Sequence, residues 1–205
     1  MLSAPVKNLG TADRLLRVIL AEVCILVAFF WAPMEWQIPL YLVAGVMLLQ
    51  AATSTCGLYN LLGWNSCEIV KRNDKKMVTG FVVVALAIAL VGGYASAVLS
   101  KNIFLENLEQ VKDTYSLTLQ YSGQGQRNAS VEQFGKLEDA WSVFHQKYSE
   151  YRPPAVRFDG NFSNDLNDIS LAISGSKEDI NSGNLTRGHD ILQKAWPALQ
   201  KIYSG

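Results

Sequence analysis

Residues 78–99 run for twenty-two positions without a charged side chain. At about 1.5 Å per residue, a helix of that length crosses a hydrocarbon core of roughly 30 Å. Nothing else in the chain constrains the fold as strongly, because backbone polar groups in lipid must be satisfied within their own helix. Two shorter apolar segments precede it. Residues 18–32 contain Glu22, and Leu15 and Leu16 extend their apolar face past Arg14 and Arg17, whose long stems let the charged heads reach the interface. Residues 36–53 carry Pro39 near their start, where a missing amide donor costs little. Only a short turn without a basic residue separates these two, so a helical hairpin is expected. The Phe29-Phe30-Trp31 end offers no small-x-small cleavage site, which argues against a removable signal peptide.

The basic residues of the first hundred positions are Lys7, Arg14, Arg17, Lys71, Arg72, Lys75 and Lys76, before the first and third apolar segments. Lys and Arg favour the cytoplasmic side, so three crossings would leave the N-terminus and the 54–77 loop cytoplasmic and residues 101–205 outside. Trp31, Trp36 and Trp64 occupy positions suited to interfacial aromatics. The remaining 105 residues carry eleven basic and thirteen acidic side chains in even distribution. Zero net charge without a basic stripe excludes a nucleic-acid protein, whose affinity comes largely from phosphate neutralisation.

That outer half reads as four amphipathic helices at 3-4 spacing. Phe104, Leu108, Val111, Tyr115 and Thr118 mark the first, and Phe134, Leu137, Trp141, Phe144, Tyr148 and Tyr151 the second, with Ser130 as its expected N-cap and Glu132 in its first turn. Phe162, Leu166, Ile169, Ile173 and Ile180 mark the third, with an interruption expected at Gly175. Leu185, Leu192, Ala195, Leu199 and Ile202 mark the fourth, with a kink expected at Pro197. The expected fold is all-α: three transmembrane helices plus a soluble up-and-down four-helix bundle, with Gly205 returning towards the membrane. Domains are expected at 1–77, 78–100 and 101–205.

Candidate sites follow from residue type. Ala85, Ala89, Gly93 and Ala97 repeat every four residues and suggest a close-packing helix face, for a partner, a second copy or the hairpin itself. Glu22 is an intramembrane carboxylate; pairing with Arg14 or Arg17 is the structural alternative to a functional role, and Asp13 completes a local charge network. Cys56 and Cys67, ten residues apart, fit neither a CxxC redox motif nor a zinc spacing. They read as inert packed thiols or as a thiol site. His145 and His189 sit at the edges of apolar stripes and are weak metal or haem candidates beside a solvated or hydrogen-bonded role. The bundle resembles cytochrome c-prime and b562 types in helix pattern only, without CxxCH or an available Met. No cofactor is expected. The alternating oxygens of Asp159, Asn161, Ser163 and Asp165 suggest a calcium loop, but Asn164 and Ser170 stand where such a loop needs Gly and Glu, and a turn with an N-cap explains the same residues.

The segment Asn8-Leu-Gly10, Asp13-Arg14 and Arg17, followed after the hairpin by Cys56-Gly-Leu-Tyr59-Asn-Leu-Leu-Gly63-Trp-Asn65-Ser-Cys67, resembles the YgaP-type transmembrane domain. That bacterial inner-membrane family has Asn-x-Gly-x-x-Asp-Arg before its hairpin and Cys-Pro-x-Tyr-x-x-x-Gly-x-Asn-Thr-Cys after it. Gly57 and Ser66 here replace the family's Pro and Thr. The resemblance covers about residues 7–68 and implies an inner-membrane location. Some family members are fused to rhodanese domains that handle sulfane sulfur. The expected function is non-enzymatic: an inner-membrane anchored interaction or accessory subunit whose periplasmic bundle, or the Ala85/Ala89/Gly93/Ala97 face, meets a larger partner; the expected partners are the bilayer and another membrane protein or a second copy. The alternatives are a thiol- or sulfur-handling protein or small transporter using Cys56, Cys67 and Glu22, and a sensor whose bundle takes a ligand.

Overall fold

The computed structural model describes residues 7–67 and 75–204. Lys71, Arg72 and Gly205, used above for topology, lie outside the described residues. Among the described residues the chain is all-α, without a strand. The elements are α1 (Thr11–Phe30), α2 (Met34–Thr53), α3 (Gly57–Leu62), α4 (Lys75–Ala87), a π-helical turn (Ile88–Gly92), α5 (Gly93–Gly123), α6 (Arg127–Glu150), α7 (Phe162–Ser182) and α8 (Leu185–Ser204). Because α4, the π turn and α5 run on as one helix, Lys75–Gly123, the described residues form seven helices. Two of these, Met34–Thr53 and Lys75–Gly123, are long and apolar enough to cross a bilayer. The chain divides into two compact units, Met1–Val98 and Leu99–Gly205.

In the first unit, α1 and α2 pack through alanines. Ala21 and Ala28 of α1 and Ala44 and Ala51 of α2 are all buried, each pair seven residues apart. A seven-residue repeat keeps one seam facing its partner, and small side chains let two backbones approach in a medium where apolar burial gives no drive. α2 begins two residues before the expected boundary, which places Pro39 in the helix interior rather than its first turn. The carbonyl of Glu35 therefore lacks its usual i+4 donor. Gly92 and Gly93 approach α1, where an added Cβ would meet Leu26.

In the second unit, the expected apolar positions converge on one core. Phe104, Leu108, Val111 and Tyr115 of α5 meet Phe134, Leu137, Trp141, Phe144 and Tyr148 of α6, together with the marked residues of α7 and α8. Phe104 is the aromatic hub, with ring centroids 5.0 Å from Tyr148, 5.8 Å from Phe144 and 6.2 Å from Phe162. Tyr115 donates its hydroxyl to the Leu192 carbonyl at 2.7 Å, tying α5 to α8. Burial pushes the Tyr115 phenol well above its ordinary range, because the ionised form would lose its hydration.

Two local expectations are corrected. Ser130 is not the N-cap of α6: the helix begins at Arg127 after Gln126, and the buried Ser130 hydroxyl donates to the Gln126 carbonyl at 2.7 Å. Gly175 does not interrupt α7, which continues to Ser182; an added Cβ there would meet Ile191 of α8 at 3.8 Å. A tertiary contact thus accompanies the glycine's local helix cost of about 1 kcal/mol. Pro197 lies inside α8, which runs from Leu185 to Ser204.

Candidate functional site

The motif residues before and after the hairpin meet at one end of the first unit. The αL backbone of Ser54, φ 58°, ends α2 and turns its carbonyl towards the amides of Asn8 and Leu9, which donate to it at 3.1 and 3.2 Å. Asn8 is 3% exposed and bonds in three directions. Its Oδ1 accepts the Cys56 amide at 2.7 Å, and its Nδ2 donates to the Cys56 carbonyl at 2.9 Å and to Asn60 Oδ1 at 2.7 Å. An amide side chain alone supplies a donor and an acceptor in this geometry. The Asn8 carbonyl accepts the Ser66 amide at 3.0 Å, and Ser66 Oγ accepts the Gly10 amide at 3.0 Å while donating to Asp13 Oδ2 at 3.0 Å. A Cβ on Gly10 would collide with the Ser66 carbonyl oxygen, so this closeness requires glycine.

Asp13 passes the network to Arg17. Its Oδ1 accepts Arg17 Nε at 3.0 Å, and Arg17 Nη1 donates to Gln50 Oε1 at 2.6 Å. The Arg17 guanidinium also lies 5.4 Å from the Tyr59 ring, which meets Trp64 edge-on at 5.9 Å. Arg14 Nε donates to the Ala51 carbonyl at 2.6 Å, in the last turn of α2, where a cation complements the helix dipole and satisfies an otherwise orphaned acceptor.

Of the expected charge network, Asp13 and Arg17 bond each other, whereas Arg14 bonds the Ala51 carbonyl and Glu22 stands apart. The pairing of Glu22 with Arg14 or Arg17 is corrected: both arginines bond elsewhere, and the buried Glu22 Oε2 has no hydrogen-bond partner.

The three cysteines are free thiols. Cys56 is 2% exposed, and Cys67 Sγ lies 3.7 Å from the Lys7 carbonyl, next to the Asn8 that binds Cys56. The two cysteines thus flank one segment, 7–10. Of the four-residue stripe, Ala85, Gly93 and Ala97 are half-buried and Ala89 is exposed. The π turn between them changes the helical register, and the approach to α1 is made by Gly92 and Gly93. Gly57 is the first residue of α3, a position favourable to proline, and Cys56 before it has the extended backbone that a following proline demands.

In the second unit His189 Nδ1 lies 3.1 Å from both Ser122 Oγ and the Leu119 carbonyl, and His145 packs its ring 5.7 Å from that of Trp141. Each histidine has its own neighbours, and among the described residues no group of three or more His, Cys, Asp or Glu stands together as a metal site. The oxygen-rich stretch 159–165 forms a turn: Asp159 Oδ1 accepts the Asn161 amide at 2.9 Å. Asp165 accepts Lys201 Nζ at 2.7 Å, a bond that raises the lysine pKa. Ser170 accepts the Trp141 indole N–H at 3.0 Å. The calcium-loop pattern is thus engaged by protein partners, and Asn161 precedes α7 without a side-chain cap bond.

The motif region missed by sequence reasoning comprises Ser54, Asn60, Gln50 and the Ala21/Ala28 and Ala44/Ala51 seam. The seven-residue alanine spacing was a readable signal for the seam. Nothing local pointed to Ser54 or Gln50, which matter only through residues more than thirty positions away.

These features define a helical membrane domain whose hairpin is closed at one end by a polar network. Residues 6–69 match the family described as inner membrane protein YgaP-like, transmembrane domain. This stretch is a YgaP-like transmembrane domain of the inner membrane, with the lipid bilayer as its surroundings; the helical region beyond it is of unknown family. No curated protein and no solved structure matches the chain.

Proposed function

We propose that the chain is a non-enzymatic interaction or accessory subunit, anchored by three membrane helices and presenting residues 101–205 as an up-and-down four-helix bundle to a larger partner on the outer face. The observation that carries this reading is the mutual bonding of the motif residues. Asn8, Asp13, Arg14, Arg17 and Ser66 hold one another and the ends of the hairpin, a role in architecture rather than turnover. The third crossing is α1, whose twenty residues span about 30 Å and whose charged groups except Glu22 gather in its first two turns. The orientation rests on Lys7, Arg14, Arg17, Lys75 and Lys76. Val143, Phe158 and Leu171 are exposed apolar side chains of the second unit and supply contact area for a partner.

Extraction from the source membrane in mild detergent under reducing conditions, followed by native mass measurement, tests the reading. A reproducible additional protein mass is expected; a lone monomer or homodimer would sink it. A reporter fused after Gly205 and active only in the cytosol would contradict the orientation.

The unpartnered Glu22 Oε2 favours a second reading, a small transporter or sulfur-handling protein in which this carboxyl and the cysteines act on a passing substrate. Burial of Cys56 counts against the thiol part of it. Persulfide labelling that depends on neither Cys56 nor Cys67 would remove the sulfur version.

A further inference from the structure

Beside the motif residues the first unit contains a groove of about 540 Å³. Thr11, Arg14, Leu15 and Val18 of α1, Leu48, Ala51 and Ala52 of α2, and Val78 of α4 line it. Its walls are apolar apart from Thr11 and Arg14, and no acidic residue lines it. Arg14 lines the groove and donates Nε to the Ala51 carbonyl, a bond that restrains the guanidinium without using its two terminal nitrogens. Lys75 opens α4 three residues before Val78, a spacing that puts the two on one side of the helix. Asp13, the nearest acid in sequence, is held by Arg17 and Ser66 and does not neutralise Arg14.

We propose that this groove is a binding site for an anionic diacyl phospholipid, with one acyl chain between α1, α2 and α4 and the phosphate on Arg14, assisted by Lys75. Charge complementarity selects the occupant. An apolar groove in a bilayer is filled by acyl chain whatever the headgroup, and the fixed guanidinium adds the preference for negative charge. The site belongs to the first unit alone and does not depend on what the second unit meets or on which side of the membrane the groove opens.

The test is native mass spectrometry of the full chain in detergent, equilibrated with equal amounts of phosphatidylglycerol and phosphatidylcholine of identical acyl chains. Wild type should retain phosphatidylglycerol over phosphatidylcholine by roughly five-fold, the preference that one or two basic contacts near the headgroup supply. Arg14→Gln should reduce that ratio towards one. Ala52→Trp, which fills the groove from an exposed position and leaves Arg14 and its bond untouched, should lower retention of both lipids. Equal retention of the two lipids by wild type, or unchanged lipid retention in Ala52→Trp, overturns the proposal. If Arg14→Gln does not fold, the wild-type ratio and Ala52→Trp still decide it. Glycerol phosphate added at millimolar concentration should not displace the lipid; displacement would identify a headgroup site without a chain-binding groove and overturn it equally.

Discussion

The two compact units are stabilised in different ways. Residues 99–205 bury large side chains, with Tyr115, Tyr148, Phe104, Phe134, Phe144 and Phe162 almost wholly enclosed. Residues 7–67 bury little beyond alanines and one leucine, and their one enclosed large polar group is Asn8. Water accounts for the difference. In an aqueous unit the hydrophobic effect rewards each enclosed ring by about 1.5–3 kcal/mol. In lipid that reward between helices vanishes, and close approach through small residues together with hydrogen bonds must hold the helices. The first unit therefore places its specificity in a polar network, and the second in the shapes of its core.

This contrast predicts opposite sensitivities. The largest effect is expected in the second unit: Phe104→Ala, which removes three ring contacts, should destabilise it by about 3–5 kcal/mol. Thermal unfolding of the full chain in detergent, followed by near-ultraviolet circular dichroism, measures this, and a loss below about 1 kcal/mol would contradict a core built around that ring.

Next in size is Asn8→Ala in the first unit. It leaves the Cys56 amide and the Asn60 side-chain oxygen without their Asn8 partner, while the Cys56 carbonyl keeps the Asn60 amide, a cost of about 2–3 kcal/mol. The sharper readout is the enclosed Cys56 thiol, whose maleimide labelling should accelerate in Asn8→Ala and stay at the parent rate in Phe104→Ala. Equal acceleration in both variants would erase the distinction between the units.

A smaller effect tests a polar tie inside the apolar core. Tyr115→Phe loses the bond to Leu192 and should cost about 1 kcal/mol at neutral pH. Burial raises the Tyr115 pKa in the folded chain, so the unfolded chain releases the phenolic proton first, near its ordinary value of about 10. Above that pH the unfolded state binds fewer protons, and stability falls as pH rises. Tyr148 and Tyr151, also raised chiefly by burial, add to the same slope. Phe at position 115 removes one share of it, so the gap between variant and parent should narrow above about pH 10. A gap that widens there would contradict the sign.

The smallest expected change is a gain. Gly57→Pro restores the residue usual in the family at the first position of α3, where open space surrounds the Cβ and the preceding residue is already extended. Restricting the unfolded chain should add about 0.4–1 kcal/mol to the first unit, read as a higher labelling midpoint for Cys56 in denaturant. A loss instead would show that the α3 amide is needed.

Helix identity and the bundle core were legible because each rests on a local period. Every residue marked at 3-4 spacing on α5 to α8 is buried except Tyr151, which is half-buried, since the period of an amphipathic stripe is a property of neighbouring residues. The same logic failed at Ser130, where the helix starts three residues earlier and the hydroxyl bonds back to Gln126, and at Gly175, where α7 continues beside Ile191 of α8. The motif was legible as a resemblance but not as a mechanism. Which amide Asn8 would bond, and that Glu22 would be left out of the arginine network, depend on a chain reversal that brings residues 8, 56 and 66 together.

The sequence by itself determined where helices form, which faces are apolar and which segments suit a membrane, because these follow from side-chain chemistry and a period of 3.6 residues. Only the tertiary structure decided how the polar residues pair. A hydrogen bond needs a partner within about 3 Å in the right direction, and Asn8 finds Cys56, Asn60 and Ser66, and Arg17 finds Gln50, thirty to sixty positions away.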